Sequence, residues 1–169
     1  MTDATAREPI AAVQLAFARA RDRVQPLVVV VARPRSPEVD AVFEKFGWPR
    51  VLVGQSLTQR LLEVPRARHP LAVEPILRDL VAQHLTASAV FLDRLEVLFL
   101  PALKIDPVGL LCRLAHERPL LVRWPGSWTG TDLVYAEPGH PEYRVFPRPR
   151  VEVVDLRAYA RIESDHEVR

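Results

Sequence analysis

Lysine is nearly missing from this chain. Lys45 and Lys104 are the only two in 169 residues, and arginine supplies the rest of the basic charge. We read that bias as genome composition rather than as a selected phosphate-binding surface. Cysteine is down to one residue, Cys112, which excludes an intrachain disulfide and suits a reducing compartment. With no base near it in sequence, Cys112 is a poor candidate nucleophile. A surplus of one sign of charge is also lacking: the net charge is +2, which permits contact with nucleic acid without arguing for it. No apolar run approaches the length that crosses a bilayer. The opening "MTDATAREP" has acidic residues where a signal peptide has its apolar segment. The expected location is the cytoplasm.

What remains is the composition of an ordered core, 49% apolar and 26% charged. The length suits one domain, expected over 1–157, followed by a charged tail at 158–169. Residues 9–21 read as a helix with Ile10, Val13 and Phe17 on one side. "PLVVVVA" at 26–32 reads as a central strand covered on both faces. A helix over 37–46 starts with Pro37 in its first turn and ends at Gly47. A strand is expected at 49–54, then a capping box of Ser56 and Gln59. A helix over 71–85 has Pro75 in its first turn and His84 beside its apolar stripe, as a structural or solvent-facing histidine. Strand 88–93 ends in Asp93, and a turn or helix fills the way to a helix capped by Asp106 and Pro107. Strand 120–124 follows. The glycine-, proline- and aromatic-rich stretch after it suggests strands at 132–136 and 143–146 around a rigid loop, and 151–156 is a final sheet strand. Strands alternating with helices give an α/β three-layer sandwich with a mostly parallel sheet.

The exit of the first strand is where a nucleotide-binding protein places a glycine-rich loop, a lysine for the outer phosphates and a Ser or Thr for magnesium. Setting that eight-residue pattern on "ARPRSPEV" puts Ala32 and Pro37 at the glycines, Glu38 at the lysine and Val39 at the hydroxyl residue. Proline donates no N–H, and Glu38 brings negative charge towards a polyphosphate. Arg33, Arg35 and the helix N-terminus leave some attraction for an anion. Asp93, after an apolar strand, has the position of a magnesium-holding acid. The next position, where a second acid would prepare water, is Arg94.

Read together, "AVFLDRLEVLFLPALKIDPVGLLCRLAHERPLLVRWPG" and "LVYAEPGHPEYRVF" resemble the small P-loop protein of type 3 bacteriophage-exclusion (BREX) systems, over about residues 10–156. "YAEPGHPEY" at 135–143 is the most distinctive piece, supported by "RWPG" at 123–126. The resemblance implies a P-loop NTPase-like core of AAA type without a lid domain. It also implies a role in antiphage defence beside larger partners that methylate DNA or engage phage DNA. Where typical relatives have a glycine–lysine–threonine loop, this chain has Pro37, Glu38 and Val39. Asp93 matches the family's magnesium-site acid by position, and Trp124 stands where related ATPases often place a polar sensor residue.

Other readings stay open. Glu137, His140, Glu142 and Tyr143 sit between rigid prolines and a glycine, as a metal site, an acid–base pair, a hydrogen-bonded structural loop or a docking surface. Trp124, Trp128, Tyr135 and Tyr143 offer interface anchors if exposed, and fill the end of a core if not. Arg33, Arg35, Arg50, Arg66, Arg68, Arg148 and Arg157 are candidate phosphate contacts to DNA. The leading expectation is an accessory defence protein that docks on larger proteins of its system, with a degenerate nucleotide site, no cofactor and no ATPase activity of its own. The alternatives are an ATP- and magnesium-dependent switch or motor completed by partners, and a DNA-binding adaptor.

Overall fold

The computed structural model describes residues 3–159, with side chains from Glu8 onward. In chain order the helices are α1 (Asp3–Arg21), α2 (Pro37–Phe46), α3 (Val53–Leu61), α4 (His69–Ala82) and α5 (Pro107–Ala115). The strands are β1 (Leu27–Val31), β2 (Arg50–Leu52), β3 (Val90–Asp93), β4 (Leu120–Trp124), β5 (Ser127–Trp128), β6 (Asp132–Tyr135), β7 (Arg144–Pro147) and β8 (Glu152–Asp155). Five of these strands form one sheet in the order β2-β3-β4-β1-β8, and every pairing in it is parallel.

The valine run explains the layering. All residues of β1 are buried, and successive side chains point to opposite faces. Leu27, Val29 and Val31 enter a core shared with Leu57, Leu77 and Leu110 of α3, α4 and α5. Val28 and Val30 enter a second core with Val13, Ala16, Val39 and Val42 of α1 and α2. A run without polar positions is therefore what a strand between two helical layers requires. Burying each such side chain is worth roughly 1.5–3 kcal/mol.

A second sheet, antiparallel in the order β5-β6-β7, occupies the segment between β4 and β8. It is joined to the first through a cluster of rings. Trp124 lies 5.3 Å from Phe99 and 5.5 Å from Phe146, and Phe99 stacks on Tyr135 at 3.7 Å. The Trp124 indole donates to the Val134 carbonyl at 2.9 Å. Gly126 lies so close under Val134 that an added Cβ would overlap the same carbonyl. Only glycine fits there.

Several local expectations shift. Helix α1 begins at Asp3, leaving Pro9 inside it. Strand β2 stops at Leu52 and Val53 opens α3, so Ser56 lies within the helix and makes no capping box. The start of α3 is fixed by a distant group: the Gly54 N–H donates to the Arg94 carbonyl at 2.9 Å. Pro70, not Pro75, occupies the first turn of α4, and Pro75 falls in its interior. His84 lies beyond the end of that helix, half-buried. Residues 96–103 form two short 3₁₀ turns, Glu96–Phe99 and Pro101–Leu103. Asp106 is the N-cap of α5 without a side-chain cap bond. Of the expected tail, Ala158 closes a 3₁₀ turn, Leu156–Ala158, and residues 160–169 lie outside the described ones. No helix among the described residues is long and apolar enough to cross a membrane.

Candidate functional site

The connection leaving β1 passes through α2 on one face of the sheet, whereas those leaving β2 and β3 return through α3, α4 and α5 on the other. The chain thus parts at the carboxyl ends of β1 and β4, the place where open α/β sheets bind ligands. A cleft of about 530 Å³ lies there. Its charged lining is Arg35 from the β1 exit, Asp40 from α2, Arg50 from β2, Asp93, Arg94 and Glu96 around the β3 exit, and Arg123 from β4.

Asp93 is only 2% exposed, so its carboxylate needs partners inside the protein. Arg50 supplies them from the neighbouring strand: Nε donates to Oδ2 at 3.1 Å, and Nη2 reaches the same oxygen. The other oxygen, Oδ1, accepts the Arg94 N–H at 2.8 Å. Arg50 is itself positioned by apolar surface, its guanidinium lying 4.8 Å above the Phe43 ring and 6.0 Å from that of Phe91. The Asp93 carboxylate is therefore already paired with a positive charge inside the protein.

The β1 exit has its own occupant. Ser36 is buried, and its hydroxyl donates to the Glu38 carboxylate rather than serving as a helix cap. Pro37 brings no N–H to the first turn of α2, and Glu38 and Asp40 place two carboxylates there. These charges satisfy the positive end of the helix from within the chain. Val39 is 2% exposed and faces the α1–α2 core, so the position of a magnesium-binding hydroxyl is a packing position. Ala32 is half-buried at the cleft wall.

Arg35 and Arg94 share an unusual backbone, with φ of +56° and +58°. Left-handed geometry costs a residue with a Cβ roughly 1–2 kcal/mol, and both residues line the cleft. Neither side chain has an ion pair among the described residues. Arg123 lacks a carboxylate partner likewise, and its Nη2 donates to the Arg33 carbonyl at 3.0 Å.

The aromatic and loop candidates divide. Trp124 is 2% exposed and belongs to the core, which removes it from any docking surface. Trp128 and Tyr135 are half-buried against the same core. The Tyr135 hydroxyl donates to Glu142 Oε2 at 3.3 Å, and burial, with the Glu142 charge, pushes its pKa up. The 135–143 loop ties itself: the Glu142 N–H donates to His140 Nδ1 at 3.1 Å, and the His140 N–H donates to the Glu137 carbonyl at 3.0 Å. Glu137, His140 and Tyr143 remain exposed. Among the described residues no three His, Cys, Asp or Glu side chains form a set that could hold a metal ion.

The candidate DNA-contact arginines have varied duties. Arg50 is held by Asp93 and Arg157 by Asp155, while Arg66 and Arg68 lie in a 3₁₀ turn ahead of α4. The pairing of Arg50 with Asp93 spans 43 residues of chain, and no local pattern announces it. Comparison with known proteins adds no assignment, since no family model, curated protein or solved structure matches this chain.

Proposed function

We propose that this chain is a cytoplasmic accessory subunit of a bacterial phage-exclusion (BREX) system. It has a P-loop-type α/β core, does not hydrolyse nucleotide, and acts by docking on larger proteins of that system. The Arg50–Asp93 pair carries the non-hydrolytic part of the reading. The residues at the cleft do not fit a magnesium triphosphate. The acid that would hold the metal is neutralised by a guanidinium, the helix start is filled by Glu38 and Asp40, and Val39 faces the core. The parallel sheet with helices on both faces supports the fold part of the reading, and the likeness of "YAEPGHPEY" motivates the link to antiphage defence.

The competing reading, an ATP-dependent switch completed by partners, requires Arg50 to leave Asp93 and Glu38 to leave the helix start. Thermal unfolding with and without Mg–ATP separates the two. A ligand that binds only the folded state at a hundred times its Kd stabilises by about 2.7 kcal/mol, a shift of several degrees. We expect no shift at millimolar Mg–ATP, and retention of the protein by co-expressed neighbouring defence proteins. A saturable shift that disappears in Asp93→Asn would overturn the reading. A DNA-binding adaptor would instead give salt-sensitive retention on DNA.

A further inference from the structure

We infer that the cleft at the carboxyl ends of β1, β3 and β4 is the docking socket for a single carboxylate side chain of a partner protein. The inference rests on the docking reading above and adds the place and the chemistry.

Three observations converge. The cleft lining holds four arginines against three carboxylates, a surplus of one positive charge. One arginine is cancelled internally, since Arg50 is bound to Asp93. The cationic groups left for a visitor are Arg35, Arg94 and Arg123, flanked by Asp40 and Glu96. A polyphosphate would meet those two acids and find no cradle of amides at Pro37 and Glu38. A lone carboxylate matches the surplus, and the guanidinium fork binds that group through paired N–H donors.

The backbone makes the second observation. Arg35 and Arg94, from different strand exits, are both held in left-handed geometry that favours glycine. Lys104, Ala136 and Arg148 share that geometry elsewhere, but among the described residues only at the cleft do two such residues present arginine side chains to one cavity. Third, the Arg94 peptide is clamped at both ends, its N–H on Asp93 Oδ1 at 2.8 Å and its carbonyl on the Gly54 N–H at 2.9 Å. The root of this side chain is therefore fixed before any partner arrives, which lowers the ordering cost of binding.

The test uses the full chain, an acetylated and amidated pentapeptide of alanines with one central glutamate, and the same peptide with glutamine. The arginine Nε–H signals are followed by NMR. The glutamate peptide should move the signals of Arg35, Arg94 and Arg123, and the glutamine peptide should not. Arg94→Gly should weaken the peptide about tenfold while raising the melting temperature, because it relieves the backbone. Removing a merely structural residue would lower both. Equal binding of the two peptides, unchanged binding by Arg35→Gln and Arg94→Gly together, or displacement of the glutamate peptide by low millimolar inorganic phosphate would overturn the inference. Retention of that double variant by co-expressed defence proteins separates the two failures. If it is retained like the parent, docking stands and occurs elsewhere. If even the parent is not retained, the docking reading fails.

Discussion

Arg50 does at residue scale what a bound cation does in a nucleotide hydrolase: it neutralises an acid at the end of a buried strand. Because Asp93 is almost wholly enclosed while Arg50 keeps 40% of its side chain exposed, the two truncations are unequal. Arg50→Ala strands a charged, buried carboxylate and should cost about 2–3 kcal/mol. Arg50→Ala with Asp93→Asn should recover part of that loss. A double-mutant cycle by urea unfolding measures the coupling, and strict additivity would contradict the pair's role. Glu74 gives a pH dependence. Hydrogen bonding to Arg113 foremost, with the charges of Arg113 and Arg78, holds its pKa below the ordinary 4.5. A carboxyl depressed in the folded state stabilises above its unfolded pKa and loses that contribution as pH falls through the folded value. Stability should therefore decline below about pH 4.5, and Glu74→Gln should flatten that acid limb in pH-dependent denaturation. Cys112 is the converse case: burial, then the Asp106 charge, raises its pKa. Its thiol should label with iodoacetamide at pH 7.5 more slowly than glutathione does, and at a comparable rate once urea has unfolded the chain.

Among the elements, the strands with continuous apolar sequence were legible and the junctions were not. The run at 27–31 announces a strand covered on both faces, because no polar residue marks a wet side. The "VFLD" strand is readable for the same reason, and the helix Pro37–Phe46 is readable from its opening proline and the glycine that ends it. The start of α3 is different. Ser56 and Gln59 have capping-box spacing, yet the helix opens at Val53 because the carbonyl of Arg94 receives the Gly54 N–H. That bond spans a chain distance no short pattern encodes. Trp124 likewise reads as an anchor or as core until Val134 and Phe146 are brought against it. Of the cleft, Asp93, Arg94 and the β1 exit could be named from sequence, but Arg50 and Arg123 enter only through strand order. The joint between the two sheets is tightly packed. Gly126→Ala must push the Val134 carbonyl off the Trp124 indole, and we expect a loss of about 2–4 kcal/mol in chemical denaturation. A neutral result would mean that β5 and β6 are less tightly joined than the geometry implies.

At the scale of the whole molecule, the two helical layers and the small antiparallel sheet share one parallel sheet as their common wall. Trp48 reports on the α1–α2 side, where it stacks on Phe46 at 4.3 Å, whereas Trp124 reports on the joint between sheets. Fluorescence from variants retaining one or the other should give a single midpoint, coincident with loss of circular dichroism. Separate midpoints would identify independently unfolding halves. Strand β1 has its neighbours in β4 and β8, so the valine-rich ribbon formed early in synthesis waits for segments made much later. Until residues 152–155 have cleared the ribosome, its outer edge is an open template for pairing with another nascent chain. Chains stalled before that stretch should be the ones that chaperones hold and proteases cut.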